Sequence, residues 1–185
     1  MEVKRLAIPD VILVTPPKFA DNRGFFSETY NARKMAEAGI PDVFVQDNQS
    51  LSRQKGVIRG LHCQLQPHGQ GKLVRCTKGA IWDVAVDART GSPTYGNWVA
   101  EELSEDNWSQ LWIPVGFLHG FCTLTENAEV QYKCTDFWDK ETERSVLWNS
   151  PGLRIDWPVK ENEAVLSEKD LQAPKFLEVK DWFQY

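Results

Sequence analysis

At 185 residues the chain has the length of one domain with a full core and leaves little for a second. It is 42% hydrophobic with a net charge of -5, which argues against broad nucleic-acid binding but lets a few Arg and Lys converge on a small anion. No apolar run approaches a membrane span and Met1-Glu2-Val3-Lys4-Arg5-Leu6 lacks a signal-peptide core; with four Cys placed singly and no CxxC, a reducing cytoplasmic setting is expected.

In chain order, Ile8 to Pro17 is a short β-like run closed by prolines. Asp21-Asn22-Arg23-Gly24 reads as a turn and Phe25 to Tyr30 as a strand. Asn31 caps a short helix over Ala32 to Ala38, which Gly39 ends. Close-spaced strand signals follow: Val43 to Asn48, the stretch around Arg59-Gly60-Leu61-His62-Cys63-Gln64, Lys72 to Cys76, and Ile81 to Asp87 after the Lys78-Gly79 turn. Alternation puts Trp82, Val84 and Val86 on one face and Ile81, Asp83, Ala85 and Asp87 on the other. Tyr95 to Leu103 and Ser109 to Ile113 are further strands, and Pro114 to Phe121 is a turn delivering His119 at a strand's start. Ala128 to Trp138 reads as one long strand, with Val130, Tyr132 and Cys134 on one side. Ser167-Glu168-Lys169-Asp170 has the S-x-x-D form of a helix start. Many short strands and little helix predict an all-β fold, an antiparallel sandwich or closed barrel, in a single domain over 1–185.

Several polar residues stand in apolar or turn-rich settings. If the central stretch is a regular strand, Arg59 and Leu61 share one face and Gly60, His62 and Gln64 the other. A neutral imidazole is a competent general base, and a carboxylate on its second nitrogen fixes the tautomer. Asp170 supplies that carboxylate or merely caps a helix. Tyr132 returns a proton in a desolvated site or is a core Tyr with a satisfied hydroxyl. Lys72, after Gly69-Gln70-Gly71, stabilises an oxyanion or is a solvated lysine. Arg23, Arg59 and Lys169 can hold a diphosphate, and Phe26 with Trp138 can sandwich a flat base. His62, His68 and His119 lack the His-x-His pair with a following Glu that metal-binding barrels use, so no metal is expected. There is no Gly-rich phosphate loop or dinucleotide fingerprint.

These motifs resemble the dTDP-4-dehydrorhamnose 3,5-epimerase family. The resemblance runs through Asp21-Asn22-Arg23-Gly24-Phe25-Phe26-Ser27-Glu28, Gln46-Asp47-Asn48-Gln49-Ser50, Gly56 to His62 and Gly71 to Arg75. It continues in Trp82 to Asp87, Pro114 to Phe121, Tyr132-Lys133-Cys134-Thr135 and Leu166 to Asp170. It implies an antiparallel jelly-roll (cupin-like) barrel with a few short helices, dimerising by exchange of N-terminal strands. It also implies a dTDP-sugar substrate, no cofactor, and no nucleic-acid or membrane partner. By the same resemblance the proton-abstracting base falls on His62, its carboxylate on Asp170, the proton donor on Tyr132 and the enolate-stabilising cation on Lys72. Nucleotide and sugar contacts fall on Arg23, Phe26, Glu28, Gln46, Asp47, Asn48, Arg59, His119, Glu143 and Lys169. Arg23, Phe26 and Glu28 would reach into the partner's pocket.

The implied reaction inverts C3 and C5 beside a C4 ketone. Two positions depart from the family pattern: Cys63 stands where an aromatic is common, and Trp138 stands where a Tyr stacks on thymine. Neither touches the acid–base set. An epimerase acting at one carbon only, a ketoisomerase and a non-enzymatic sugar-nucleotide-binding barrel are the alternatives; the last has no reason to hold His62, Tyr132 and Asp170 together.

Overall fold

The computed structural model describes residues 1–179 and 181–185. In chain order its strands are β1 (Glu2–Arg5), β2 (Ile12–Thr15), β3 (Phe19–Asp21), β4 (Gly24–Phe26), β5 (Gln46–Ser52), β6 (Ile58–Gln64), β7 (Lys72–Lys78) and β8 (Ala80–Asp87). They continue with β9 (Arg89–Thr90), β10 (Trp98–Ser104), β11 (Gln110–Ile113), β12 (Phe117–Thr123), β13 (Ala128–Cys134), β14 (Glu143–Ser145) and β15 (Phe183–Gln184). The helices are α1 (Ala32–Glu37) and α2 (Glu168–Leu171), with a 3-10 turn at Phe176–Glu178.

Two antiparallel sheets carry the molecule, one ordered β1-β2-β11-β7-β13-β5 and the other β10-β8-β12-β6-β14. From β5 to β8 and again from β10 to β14 the chain alternates between them, the winding of a cupin-like jelly roll. Alternation along β8 works as expected. Ile81 and Ala85 enter the core between the sheets with Val74, Cys76, Leu111, Phe121 and Val130. Val84 and Val86 face the other way, where Val146, Leu153, Phe176 and Phe183 of the C-terminal segment cover them. β12 is therefore buried at every position.

The outer face of the larger sheet, with Ile12, Val14, Leu73 and Trp112, is closed by Met35 of α1 and by Ile40. A six-residue helix has no stability of its own; Asn31 caps it through Arg33 N and Lys34 N, and burial of Met35 contributes about 2 kcal/mol.

Four local expectations change. The strand expected from Val43 starts at Gln46 and runs to Ser52, and the one expected from Phe25 to Tyr30 stops at Phe26. β13 ends at Cys134, leaving residues 135–142 as a loop that presents Trp138. His119 is the third residue of β12, within the strand and not at its start. The β6–β12 pairing is also irregular: His62 pairs with His119 but Arg59 with Phe121, so β6 carries one extra residue. That bulge overturns the expected faces, and Arg59 now lines the same cavity as His62 while Leu61 turns into the outer cluster.

The bulge sits where two glycines meet. Gly60 has φ +119°, and a Cβ there would lie 2.6 Å from Gly120 Cα and from His119 O.

Candidate active site

Between the sheets lies a cavity of about 520 Å³ lined by Arg59, His62, Lys72, His119, Tyr132, Glu143, Lys169 and Asp170, among others. A second lobe of about 340 Å³ shares His62, Lys72, Tyr132 and Glu143, and adds Gln46, Asn48, Gln64 and Trp138. His62 comes from β6 of one sheet, while Lys72 on β7 and Tyr132 on β13 face it from the other.

Asp170 reaches His62 by a local device. The C-terminal chain pairs with the start of β6 through Ile58 N to Val165 O and Val165 N to Gly56 O, both 2.9 Å. Ser167 then caps α2, its Oγ accepting from Asp170 N at 3.2 Å. With the serine as cap, the Asp170 carboxylate is free for the imidazole: His62 Nε2 donates to Asp170 Oδ1 at 2.6 Å. A carboxylate only accepts, so the proton is assigned to Nε2 and Nδ1 is left with its lone pair. Burial pushes the Asp170 carboxyl upward, but His62, Ser167 and the Gly60 N–H outweigh it and hold the group below its ordinary value. Asp170 is therefore an anion at neutral pH.

Lys72 forms no side-chain hydrogen bond or ion pair with the described residues, although it is only 9% exposed. Burial lowers its pKa, partly offset by Cys134, Cys63, Glu143 and Asp83. An ammonium held out of water without a partner carries donors ready for a developing oxyanion. Burial raises the pKa of Tyr132, with Cys134 adding to it and an Asn48 hydrogen bond opposing it, so the phenol keeps its proton at neutral pH.

His119 donates from Nε2 to Asp83 Oδ1 at 2.7 Å. Glu143 and Lys169 pair across the cavity at 2.5 Å. Arg59 is tethered by Ser52 Oγ at 3.1 Å and Leu51 O at 3.3 Å. Gln46 Oε1 accepts from Trp138 N at 2.9 Å, and Gln64 holds the same loop through Phe137 O at 3.1 Å and Asp139 N at 2.8 Å. Those contacts place the Trp138 ring, 56% exposed, at the second lobe. Cys63 is buried with its thiol pushed up to about 12 by burial, and contributes no reactive sulfur.

Four expected residues lie elsewhere. Alternation along β5 turns Gln46 and Asn48 inward and Asp47 outward, where it pairs with Lys133 at 3.0 Å. Arg23, Phe26 and Glu28 stand on or after the β3–β4 hairpin, outside their own chain's cavity. Arg23 pairs with Asp21, Glu28 with Lys34, and Phe26 is 69% exposed. Sequence reasoning missed Asp83, Ser167 and Gln64 as site residues. Each left a partial signal: Asp83 a carboxylate on the strand face of Ile81 and Ala85, Ser167 the S-x-x-D helix start, and Gln64 its place on the expected strand face of His62. Among the described residues no group of three or more His, Cys, Asp or Glu could hold a metal ion.

The fold and cavity define a jelly-roll protein in which an imidazole–carboxylate pair, a phenol and a buried lysine surround one space. The family model described as dTDP-4-dehydrorhamnose 3,5-epimerase matches residues 5–178. The chain is 57% identical to the dTDP-4-dehydrorhamnose 3,5-epimerase of Pseudomonas aeruginosa over 95% of this chain and 96% of that one. It is 38% identical to a dTDP-4-dehydrorhamnose 3-epimerase of Streptomyces niveus over 98% and 86% of the two chains. The 3,5-epimerase of Legionella pneumophila, solved in complex with dTDP-4-keto-L-rhamnose, superposes with a TM-score of 0.94 at 45% identity, covering 100% of this chain and 98% of that one. The chain belongs to the dTDP-4-dehydrorhamnose 3,5-epimerase family, whose members are isomerases.

Proposed function

We propose that the protein inverts C3 and C5 of dTDP-4-dehydro-6-deoxy-D-glucose to give dTDP-4-dehydro-L-rhamnose. The observation that carries the reading is the His62–Asp170 contact of 2.6 Å inside a cavity that Lys72 and Tyr132 also line. His62 Nδ1 takes the proton from the carbon beside the C4 ketone, and the electron pair moves onto the C4 oxygen. Lys72 stabilises that oxyanion through charge and hydrogen bonding. Tyr132 delivers its proton to the opposite ring face, the ketone re-forms and the centre is inverted. Solvent takes the proton from His62 and returns one to Tyr132, and the sugar then shifts to present the second carbon. The ketone is the electron sink, so the chemistry asks for no further group.

Arg59, Lys169 and His119 bind the diphosphate and sugar, with Glu143, Gln46 and Asn48 completing the contacts, and Trp138 stacks on the base. Arg23, Phe26 and Glu28 serve the site of a second copy in a homodimer, since their hairpin leaves its own cavity and carries exposed aromatic surface. The working unit is a single jelly-roll domain acting in the cytoplasm; no helix among the described residues is long and apolar enough to cross a membrane.

NMR of the substrate incubated in D2O tests the reading, with His62→Ala as control. Deuterium at both C3 and C5, absent in the variant, is the expected result. The likeness to the Streptomyces niveus 3-epimerase favours one second reading, inversion at C3 alone, and label at a single carbon would select it. No label at either carbon would sink both.

A further inference from the structure

A second imidazole–carboxylate pair stands deeper in the barrel than His62 and Asp170. Asp83 lies on β8 between Ile81 and Ala85, which pack in the core between the sheets, and it is 0% exposed. Its Oδ1 accepts from His119 Nε2 at 2.7 Å, while its Oδ2 has no hydrogen-bond partner among the described residues. Even with the Lys72 charge within Coulombic reach, burying a carboxylate with one oxygen unsatisfied is costly, and packing alone would be served better by an apolar side chain. Among the described residues its only side-chain hydrogen bond is to a ring that lines the cavity with His62, Lys72 and Tyr132.

We infer that Asp83 is a positioning residue for the reaction, acting through His119. A carboxylate accepts and never donates when ionised, so it holds the ring proton on Nε2 and leaves Nδ1 as the nitrogen available to substrate oxygens. It also fixes the plane of the ring. The strand geometry supports the role: His119 and His62 are direct cross-strand partners on β12 and β6, so the orientation of one imidazole bears on the space beside the other. An amide at position 83 keeps the volume but can donate to Nε2, which moves the ring proton to Nδ1 and reverses the polarity shown to the substrate.

The inference rests on the epimerase reading, and its test separates the two. Steady-state turnover of dTDP-4-dehydro-6-deoxy-D-glucose is measured for wild type, Asp83→Asn, His119→Gln and the double variant, beside thermal unfolding and ring 15N NMR. Asp83→Asn is expected to lower kcat/KM about 10- to 100-fold while still folding. In the His119→Gln background the same change should cost less than about twofold, because a residue acting through another has nothing left to position. Wild-type His119 should carry its proton on Nε2, and Asp83→Asn should shift it toward Nδ1. Equal losses in both backgrounds would overturn the inference, and a wild-type ring protonated on Nδ1 alone would overturn it even if Asp83→Asn failed to fold. A wild-type protein that turns over no sugar nucleotide would sink the epimerase reading, and the nitrogen spectrum would still decide whether Asp83 sets the tautomer.

Discussion

Lys72 and Asp170 illustrate opposite bargains at the scale of single residues. Lys72 is a cation deprived of water with no partner in the described structure, so it destabilises the fold in exchange for a donor aimed at the cavity. Lys72→Met is expected to raise stability by about 1 kcal/mol while lowering kcat at least about 100-fold, as urea unfolding and turnover would show. A loss of stability in that variant would mean the ammonium is better solvated than its burial suggests. Asp170 is instead stabilised as an anion. Its folded pKa lies below the unfolded one, so its contribution is complete above the ordinary carboxylate value of about 3.9 and disappears as pH falls through the folded value. The stability gap between wild type and Asp170→Asn should therefore narrow below about pH 4, measured by unfolding across a pH series. A gap that stays constant down to pH 2 would contradict a depressed carboxyl.

At the scale of elements, the bulge between β6 and β12 decides which residues share the cavity. Regular alternation separates Arg59 from His62; one extra residue at Gly60-Leu61 reunites them. Gly60→Ala must force its Cβ against backbone atoms of β12 at 2.6 Å, in a φ region that L side chains rarely adopt. A destabilisation of about 2 kcal/mol or more is expected, with kcat falling further than the unfolded fraction explains, because His62 moves with the strand. Wild-type turnover in a well-folded Gly60→Ala would show that the strands tolerate separation. The short α2 makes the complementary point. Ser167 serves its N-terminus, which frees the Asp170 side chain, and the S-x-x-D spacing alone does not say which of the two does the capping.

On the scale of the whole molecule, the β3–β4 hairpin is the feature a lone chain does not explain. It carries Arg23 and Phe26 away from the cavity and exposes Phe19, Phe25 and Phe26. If it completes the site of a second copy, Arg23→Ala and His62→Ala should each be poorly active alone. Mixed after unfolding and refolding together, they should regain about a quarter of wild-type activity, since half of the dimers are hybrids and each hybrid has one intact site. Activity that does not exceed the sum of the parents would refute shared sites. The thiols give a second whole-molecule test: burial pushes Cys76, Cys122 and Cys134 up to about 11 and Cys63 to about 12. Iodoacetamide at pH 8 should leave all four unmodified in the folded protein, as mass spectrometry would show, and label them once urea unfolds it.

The linear chain by itself determined the strand-rich class, the alternation of β8, the Asn31 cap and the family motifs, because these depend on side-chain period and on neighbours a few residues away. It also singled out His62, Lys72, Tyr132 and Asp170, which the structure brings to one cavity. The tertiary structure decided what touches what. The His62–Asp170 contact spans 108 positions and needs the Val165 pairing to bring α2 to β6. The reunion of Arg59 with His62, the outward turn of Asp47 and the partnership of Asp83 with His119 likewise depend on strand register. Register is set by where two sheets close around a shared core, and no local spacing of residues encodes that closure.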